Sequence, residues 1–289
     1  MTTRLALYDQ VAEETASIVI RRYSTSFGLA SRLLGAGVRQ HVENIYALVR
    51  VADEIVDGPA MEAGLDTVAA GRALNELERE TEHAMDSGFS SNLVVHAFAR
   101  TARRVGFDRE LTAPFFDSMR MDLSEKQHDQ ASFERYVYGS AEVVGLMCLE
   151  AFLEGQPVDA EQKQRLVRGA RALGAAFQKV NFLRDLSADF EALGRSYFPD
   201  VTVENFTEAE KHRLLDDIDA DLAVSAAIIP ELPSTSRRAV ALAQSLFAEL
   251  SVRLRATAAE QLIRARVRVP NPVKARLALS AAMTGRPAR

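Results

Sequence analysis

The feature that most constrains this chain is a polar stripe inside an otherwise apolar helix. The run Gln178-Lys179-Val180-Asn181-Phe182-Leu183-Arg184-Asp185-Leu186-Ser187-Ala188-Asp189 lies within Glu161 to Leu193, a stretch free of proline. Its apolar spacing predicts one long helix. Gln178, Asn181, Asp185 and Asp189 stand at i, i+3, i+7 and i+11, all on one face. Asp and Asn are mediocre helix formers that compete for backbone hydrogen bonds. Three of them in one stripe, amid Phe177, Val180, Phe182 and Leu186, need a purpose. Acid oxygens converging at one-turn spacing can hold a hard divalent cation such as Mg²⁺. For one isolated D-x-x-x-D pair, a solvated helix face would be the better reading.

A second copy changes that. In Asn44 to Asp57, the residues Tyr46, Arg50, Asp53 and Asp57 stand at i, i+4, i+7 and i+11, with Glu54 beside them. Arg50 alone reads equally well as an intrahelical partner of Asp53 or Glu54, worth about 0.2–0.5 kcal/mol. That reading does not explain why two long apolar helices each carry acids four residues apart. Facing each other, they would form an acidic cleft able to gather several Mg²⁺ ions. The natural guest is a diphosphate, whose charge the metals bridge to the carboxylates.

The rest of the chain has helical periodicity and no convincing strand alternation. Leu5 to Arg22 predicts a first helix with Leu7, Val11 and Ile18 facing inward. The hydroxyl-rich break Tyr23-Ser24-Thr25-Ser26-Phe27-Gly28 follows. Val38 to Asp57 forms the next helix, stopped by Gly58-Pro59. Further helices are expected at 65–86, 91–105, 109–126, 132–154, 159–193, 207–228, 234–256 and 270–284. No Gly, Ser or Pro linker divides the 289 residues, so the expectation is one all-α domain, residues 1–289, with helices around a central cavity.

Composition narrows the function classes. The chain is 47% hydrophobic and 26% charged, enough to bury a core. A net charge of −5 argues against a nucleic-acid binder. The single cysteine, Cys148, excludes an internal disulfide and sits in an apolar run, where a buried, inert thiol is expected. No signal-type N-terminus is evident, and no stretch is expected to reach the ~20 apolar residues that span a bilayer. The expected location is the cytoplasm, with any membrane contact peripheral.

The ordered set Arg50-x-x-Asp53-x-x-x-Asp57 and Asn181-x-x-x-Asp185-x-x-x-Asp189 resembles the two aspartate-rich motifs of the squalene and phytoene synthase family. Tyr23-Ser24-Thr25-Ser26-Phe27 is similar to its N-terminal Ser-x-Ser-Phe element. Tyr136-Val137-Tyr138-Gly139-Ser140-Ala141-Glu142-Val143-Val144-Gly145-Leu146-Met147 resembles its central helix, and Gly194-Arg195-Ser196-Tyr197-Phe198-Pro199 the segment after the second motif. The likeness runs from about residue 15 to 275 and is closest to the bacterial phytoene synthases. Two positions depart from relatives: Tyr23 stands where some have His, and Glu54 where many have Asp.

The resemblance implies a terpenoid (isoprenoid) synthase fold and head-to-head coupling of two allylic diphosphates. For phytoene synthases these are geranylgeranyl diphosphates, joined through a cyclopropyl intermediate in the first committed step of carotenoid formation. A squalene or dehydrosqualene synthase using farnesyl diphosphate is the alternative, and a non-catalytic helical scaffold a third reading. Implied metal ligands are Asp53, Asp57, Asn181, Asp185 and Asp189, holding Mg²⁺ or Mn²⁺ in its place; no NADPH is expected. Implied diphosphate or substrate contacts are Ser24, Ser26, Phe27, Arg50, Gln178, Arg184 and Arg195, with Arg184 turned away from the stripe by helical spacing. Ser24 and Ser26 read equally as turn or cap hydroxyls. Tyr46 and Tyr136 fall at the family's pocket tyrosines. The cavity walls are expected from Phe27, Phe115, Met119, Val143, Val144, Met147 and Leu183. Small residues Gly139, Ser140, Ala141 and Gly145 leave room for a long tail or serve tight helix packing. The basic run Arg264-Ala265-Arg266-Val267-Arg268-Val269-Pro270 is expected to touch diphosphate, anionic lipid or only solvent. A lipophilic product further implies peripheral membrane contact and hand-over to a downstream carotenoid enzyme.

Overall fold

The computed structural model describes residues 3–193 and 196–288, with backbone alone for Ser26 and 187–193. Fourteen α-helices are found among these residues. They are α1 Arg4–Tyr23, α2 Ser26–Ser31, α3 Ala36–Val56, α4 Pro59–Glu62, α5 Thr67–Ser87, α6 Leu93–Val105 and α7 Arg109–Ser124. There follow α8 Gln130–Val137, α9 Val143–Leu153, α10 Ala160–Leu193, α11 Glu208–Ile228, α12 Ser234–Ala256, α13 Ala259–Leu262 and α14 Asn271–Thr284. The architecture is all-α, as the periodicity requires, and most ends fall within two residues of expectation. Starts are fixed by caps: Asp66, Asn92, Asp108, Asp129 and Thr207 each accept from a backbone N–H in the first turn. At Gly58, φ of +141° turns the chain sharply out of α3.

The inward face of α1 differs from expectation. Ala12, Ala16 and Ile20 are buried, whereas Leu7, Val11 and Ile18 are 58%, 40% and 52% exposed. Polar contacts set the rotation of the helix. Asp9 pairs with His96 Nε2 at 2.9 Å, and Glu13 with Arg100 at 2.9 Å, so the face carrying residues 9, 12, 13, 16 and 20 meets α6. The small residues on that face let α1 sit close to α3 and α6.

The expected helix 132–154 is broken in register. Tyr138–Glu142 forms a π-helical turn between α8 and α9. The cause is a close crossing with α7: a Cβ on Gly139 would lie 2.1 Å from Pro114 O and 2.1 Å from Ser118 Oγ. Ser118 Oγ also donates to Tyr136 O at 3.2 Å. Single π-helical turns of this kind are frequent at functional sites. Gly145 makes a second close crossing, 2.7 Å from Ala170 O for an added Cβ. Gly139 therefore serves helix packing, while Gly145 both makes a close crossing and borders the cavity described below. By length and composition, Gln130–Leu153 is apolar enough to cross a bilayer, contrary to the sequence expectation. In this fold it is an interior helix packed on α3, α7 and α10, with Val143, Met147 and Leu149 fully enclosed.

Helix α10 is the axis. Its 34 residues pack against α9, α11 and α12, and α3 lies on the opposite side of the space they enclose. One apolar cluster joins α10, α11 and the 197–206 segment; another joins α1, α3, α5, α6, α7 and α9. The cavity lies between them.

Candidate active site

Both acidic stripes open onto one cavity of about 690 Å³. From α3 come Tyr46, Val49, Arg50, Asp53 and Asp57; from α10 come Gln178, Asn181, Phe182, Arg184 and Asp185. Tyr23, Ser24 and Phe27 border it from the α1–α2 break. Along both helices the lining changes in the same sense. On α3 it runs from Val42 to Asp57, and on α10 from Leu166 and Leu173 to Asp185. One end of the cavity is therefore carboxylate-rich and the other apolar. From Leu166 to Asp185 the helix rises about 28 Å at 1.5 Å per residue, room for a long tail behind a charged head.

The charged end is internally paired. Arg50 bonds Asp53 Oδ2 at 2.8 Å, also pairs with Glu54, and lies over the Tyr23 ring at 4.6 Å. Its buried Nε has no hydrogen-bond partner among the described residues. Arg184, expected to turn away from the stripe, instead folds onto its neighbour: Nε donates to Asp185 Oδ1 at 2.9 Å, and NH2 to Oδ2. A long, flexible side chain overrides the angle set by helical spacing. Arg266 approaches the same carboxylate from the C-terminal run, Nε to Oδ1 at 2.7 Å. Arg266 thus borders the cavity while staying exposed, as Arg264 and Arg268 also are.

The tyrosines differ in environment. Tyr46 shares a hydrogen bond with Ser24 and stacks with Phe27 at 5.8 Å. Burial pushes its phenol above the usual range, against a lowering pull from Arg50. Ser24 Oγ also accepts from Gly28 N at 3.3 Å, a turn contact, while the residue borders the cavity. Tyr136 is enclosed and donates to both oxygens of Asp122, at 3.0 and 2.9 Å. Burial, then the Asp122 charge, hold its phenol well above the ordinary value.

Phe27, Phe115, Met119 and Val144 line the cavity as expected, as do Ser140 and Ala141. Val143, Met147 and Leu183 do not; they are fully buried in the surrounding core. The π-helical turn shifts the register of α9, so that Val144 rather than Val143 faces inward. Ser26, Asp189 and Arg195 lie outside the described residues, the first two by their side chains. Asp122, Phe182 and Tyr197 were missed. Helical spacing alone does not single out Asp122, since Asp117 and Arg120 lie in the same stretch, and Tyr197 is legible only as part of the segment after the second acidic stripe.

Among the described residues, no three His, Cys, Asp or Glu side chains form a ready-made metal cage. Asp53 and Asp57 on one wall and Asp185 with Asn181 on the other suit a different arrangement. Mg²⁺ retains waters and is commonly bound by one or two carboxylates plus substrate phosphates. This all-oxygen donor set fits that cation.

The squalene/phytoene synthase family model matches residues 20–272. The chain belongs to this family. It is 30% identical over 293 residues to a 15-cis-phytoene synthase of Enterobacter agglomerans, covering 92% of this chain and 94% of that protein. It is 28% identical over 255 residues to a phytoene synthase of Pseudescherichia vulneris, covering 81% of this chain and 79% of that one. A dehydrosqualene synthase crystal structure superposes with a TM-score of 0.80 at 23% identity, over 95% and 96% of the two chains. That likeness establishes the fold, an all-α terpenoid-synthase architecture. As a family member the chain is a prenyltransferase-type enzyme.

Proposed function

We propose that this family member condenses two geranylgeranyl diphosphates head to head into phytoene, releasing two diphosphates through a cyclopropyl diphosphate. The observation that carries this reading is the polarity of the cavity. Carboxylates from α3 and α10 meet at one end, and a long apolar tract lies behind them. A diphosphate head with a prenyl tail matches both ends.

Bound Mg²⁺ supplies charge neutralisation of the leaving diphosphate. Asp53, Asp57, Asp185 and Asn181 would hold it; Asp189 is a proposed further ligand by sequence. Arg50, Arg184 and Arg266 present guanidinium forks matched to phosphate oxygens. Gln178, one turn before Asn181, orients a head group or bound water. Phe27, Phe115, Met119 and Val144 keep water from the allylic cation that follows C–O cleavage. The ring faces of Tyr46, Tyr136 and Phe182 offer negative quadrupole density to that cation. The double bond of the second substrate then attacks, closing the cyclopropane with loss of a proton. A second ionisation, rearrangement and proton loss join the two C1 carbons as a conjugated triene.

The deciding experiment incubates pure protein and Mg²⁺ with geranylgeranyl or farnesyl diphosphate and identifies the hydrocarbon. A C40 triene, with yield unaffected by NADPH, is expected. A predominantly C30 product would replace this reading with the dehydrosqualene one, which the likeness in fold also suits.

A further inference from the structure

Behind the cavity wall sits an acid that the aspartate-rich motifs do not contain. Asp122, on α7, is 7% exposed and receives two phenols at once. Tyr136 Oη, from α8, lies 3.0 and 2.9 Å from its oxygens; Tyr197 Oη, from the segment after α10, lies 3.1 Å from Oδ1. Both tyrosines line the cavity, and Phe182 completes the surface, stacked on Tyr197 at 4.0 Å and 8°.

A phenol has one proton, and an ionised carboxylate only accepts. Each hydroxyl that donates to Asp122 turns its O–H dipole away from the cavity and leaves an oxygen lone pair on the cavity side. Asp122 thus sets the direction in which both hydroxyl protons point. A wall of positive dipole ends opposes a carbocation; a wall of lone pairs and ring faces stabilises one, with the Asp122 charge behind it.

We propose that Asp122 is a positioning residue that fixes the Tyr136 and Tyr197 hydroxyls in the cation-stabilising orientation. This rests on the prenyl diphosphate reading, since only a cation-forming reaction gains from it. The carboxylate acts through the two tyrosines and does not touch substrate.

The chain has no Trp and six Tyr, so tyrosine emission reports the contact without any substrate. A carboxylate hydrogen-bonded to a phenol quenches its fluorescence. Asp122→Asn should brighten emission, leave KM near the wild-type value and lower kcat by about 10²-fold, the scale of one preorganised electrostatic contact. It should also release more of the cyclopropyl diphosphate relative to hydrocarbon. Tyr197→Phe deletes one hydroxyl and provides a milder variant. Its effect on kcat should be smaller and should vanish in the Asp122→Asn background. Three results would overturn the proposal: unchanged kcat in Asp122→Asn, a loss confined to KM, or fully additive effects of the two substitutions. If wild-type protein makes no hydrocarbon from any prenyl diphosphate, the functional reading itself fails; the emission change would still report the Asp122 contact.

Discussion

Arg266 and Asp185 stand 81 positions apart in the chain, yet Nε of the arginine lies 2.7 Å from Oδ1 of the acid and NH2 lies 3.1 Å from Oδ2. The contact brings the acid-free C-terminal run to the head-group end of α10. A carboxylate shared by Arg184 and Arg266 keeps two guanidinium groups beside the place where diphosphate charge would arrive. Arg266→Ala should lower kcat/KM by roughly tenfold to a hundredfold, the span of one charged hydrogen bond. Arg266→Lys should recover part of that, since it keeps the charge but loses the fork. Steady-state kinetics at two ionic strengths provide the check, and wild-type kinetics in both variants would remove Arg266 from the site.

The opposed acids make the sharper claim. Asp53→Asn and Asp185→Asn should each reduce turnover by at least ~10²-fold, as for loss of a preorganised electrostatic contact. EDTA should abolish wild-type activity, with recovery on adding Mg²⁺ or Mn²⁺. Near-normal turnover in either variant would contradict its assignment as a ligand.

Gly139 gives a prediction about stability alone. An alanine there would place Cβ 2.1 Å from backbone Pro114 O and from Ser118 Oγ, so α7 and the π-helical turn would have to part. Gly139→Ala should destabilise by about 1–3 kcal/mol or more, the range for overpacking. Thermal unfolding should show a drop of several degrees. Gly37, near the start of α3, has nothing within 4 Å of an added Cβ, and Gly37→Ala should be neutral or slightly stabilising. Equal melting temperatures for the two variants would mean that the α7 crossing is not tight.

The acidic stripes were legible because helical spacing alone places Asp53 with Asp57, and Gln178 with Asn181 and Asp185, on single faces. Apolar periodicity likewise located the helices. What escaped depends on rotation and long-range contact. The face of α1 is set by Asp9 and Glu13 meeting α6, a pairing that local hydrophobic spacing cannot show. The inward residue of α9 is Val144 because a π-helical turn at 138–142 shifts the register. Arg184 and Arg266 reach Asp185 through side-chain length, and the carboxylate of Asp122 gains meaning only when Tyr136 and Tyr197 arrive from two other segments.

Cys148 borders the apolar part of the cavity, and burial pushes its thiol up to about 12 from 9.0. A raised thiol pKa keeps the sulfur protonated, so the reactive thiolate is scarce throughout the neutral range and grows only toward pH 12. At pH 8, alkylation by iodoacetamide should be slower in native protein by about three orders of magnitude from ionisation alone. Labelling in urea against labelling in buffer checks this. Equal rates would show the thiol to be exposed and ordinary.

Ser140 and Val143 stand three positions apart in the sequence but differ in role. Ser140 borders the cavity, and its buried Oγ has no hydrogen-bond partner among the described residues. Val143 is fully buried in the core between α3, α7 and α9. Each additional buried CH₂ contributes about 0.8 kcal/mol, so a cavity that accepts the fourth isoprene unit should prefer it clearly over three. Ser140→Phe would fill cavity space and should shift competition between farnesyl and geranylgeranyl diphosphate toward the shorter chain, with a small change in melting temperature. Val143→Phe would overpack the core instead, lowering the melting temperature while leaving the product ratio of the surviving enzyme unchanged. Product analysis at equal concentrations of the two substrates separates the outcomes. If Val143→Phe shifts the ratio and Ser140→Phe does not, the tail runs along the opposite face of this helix.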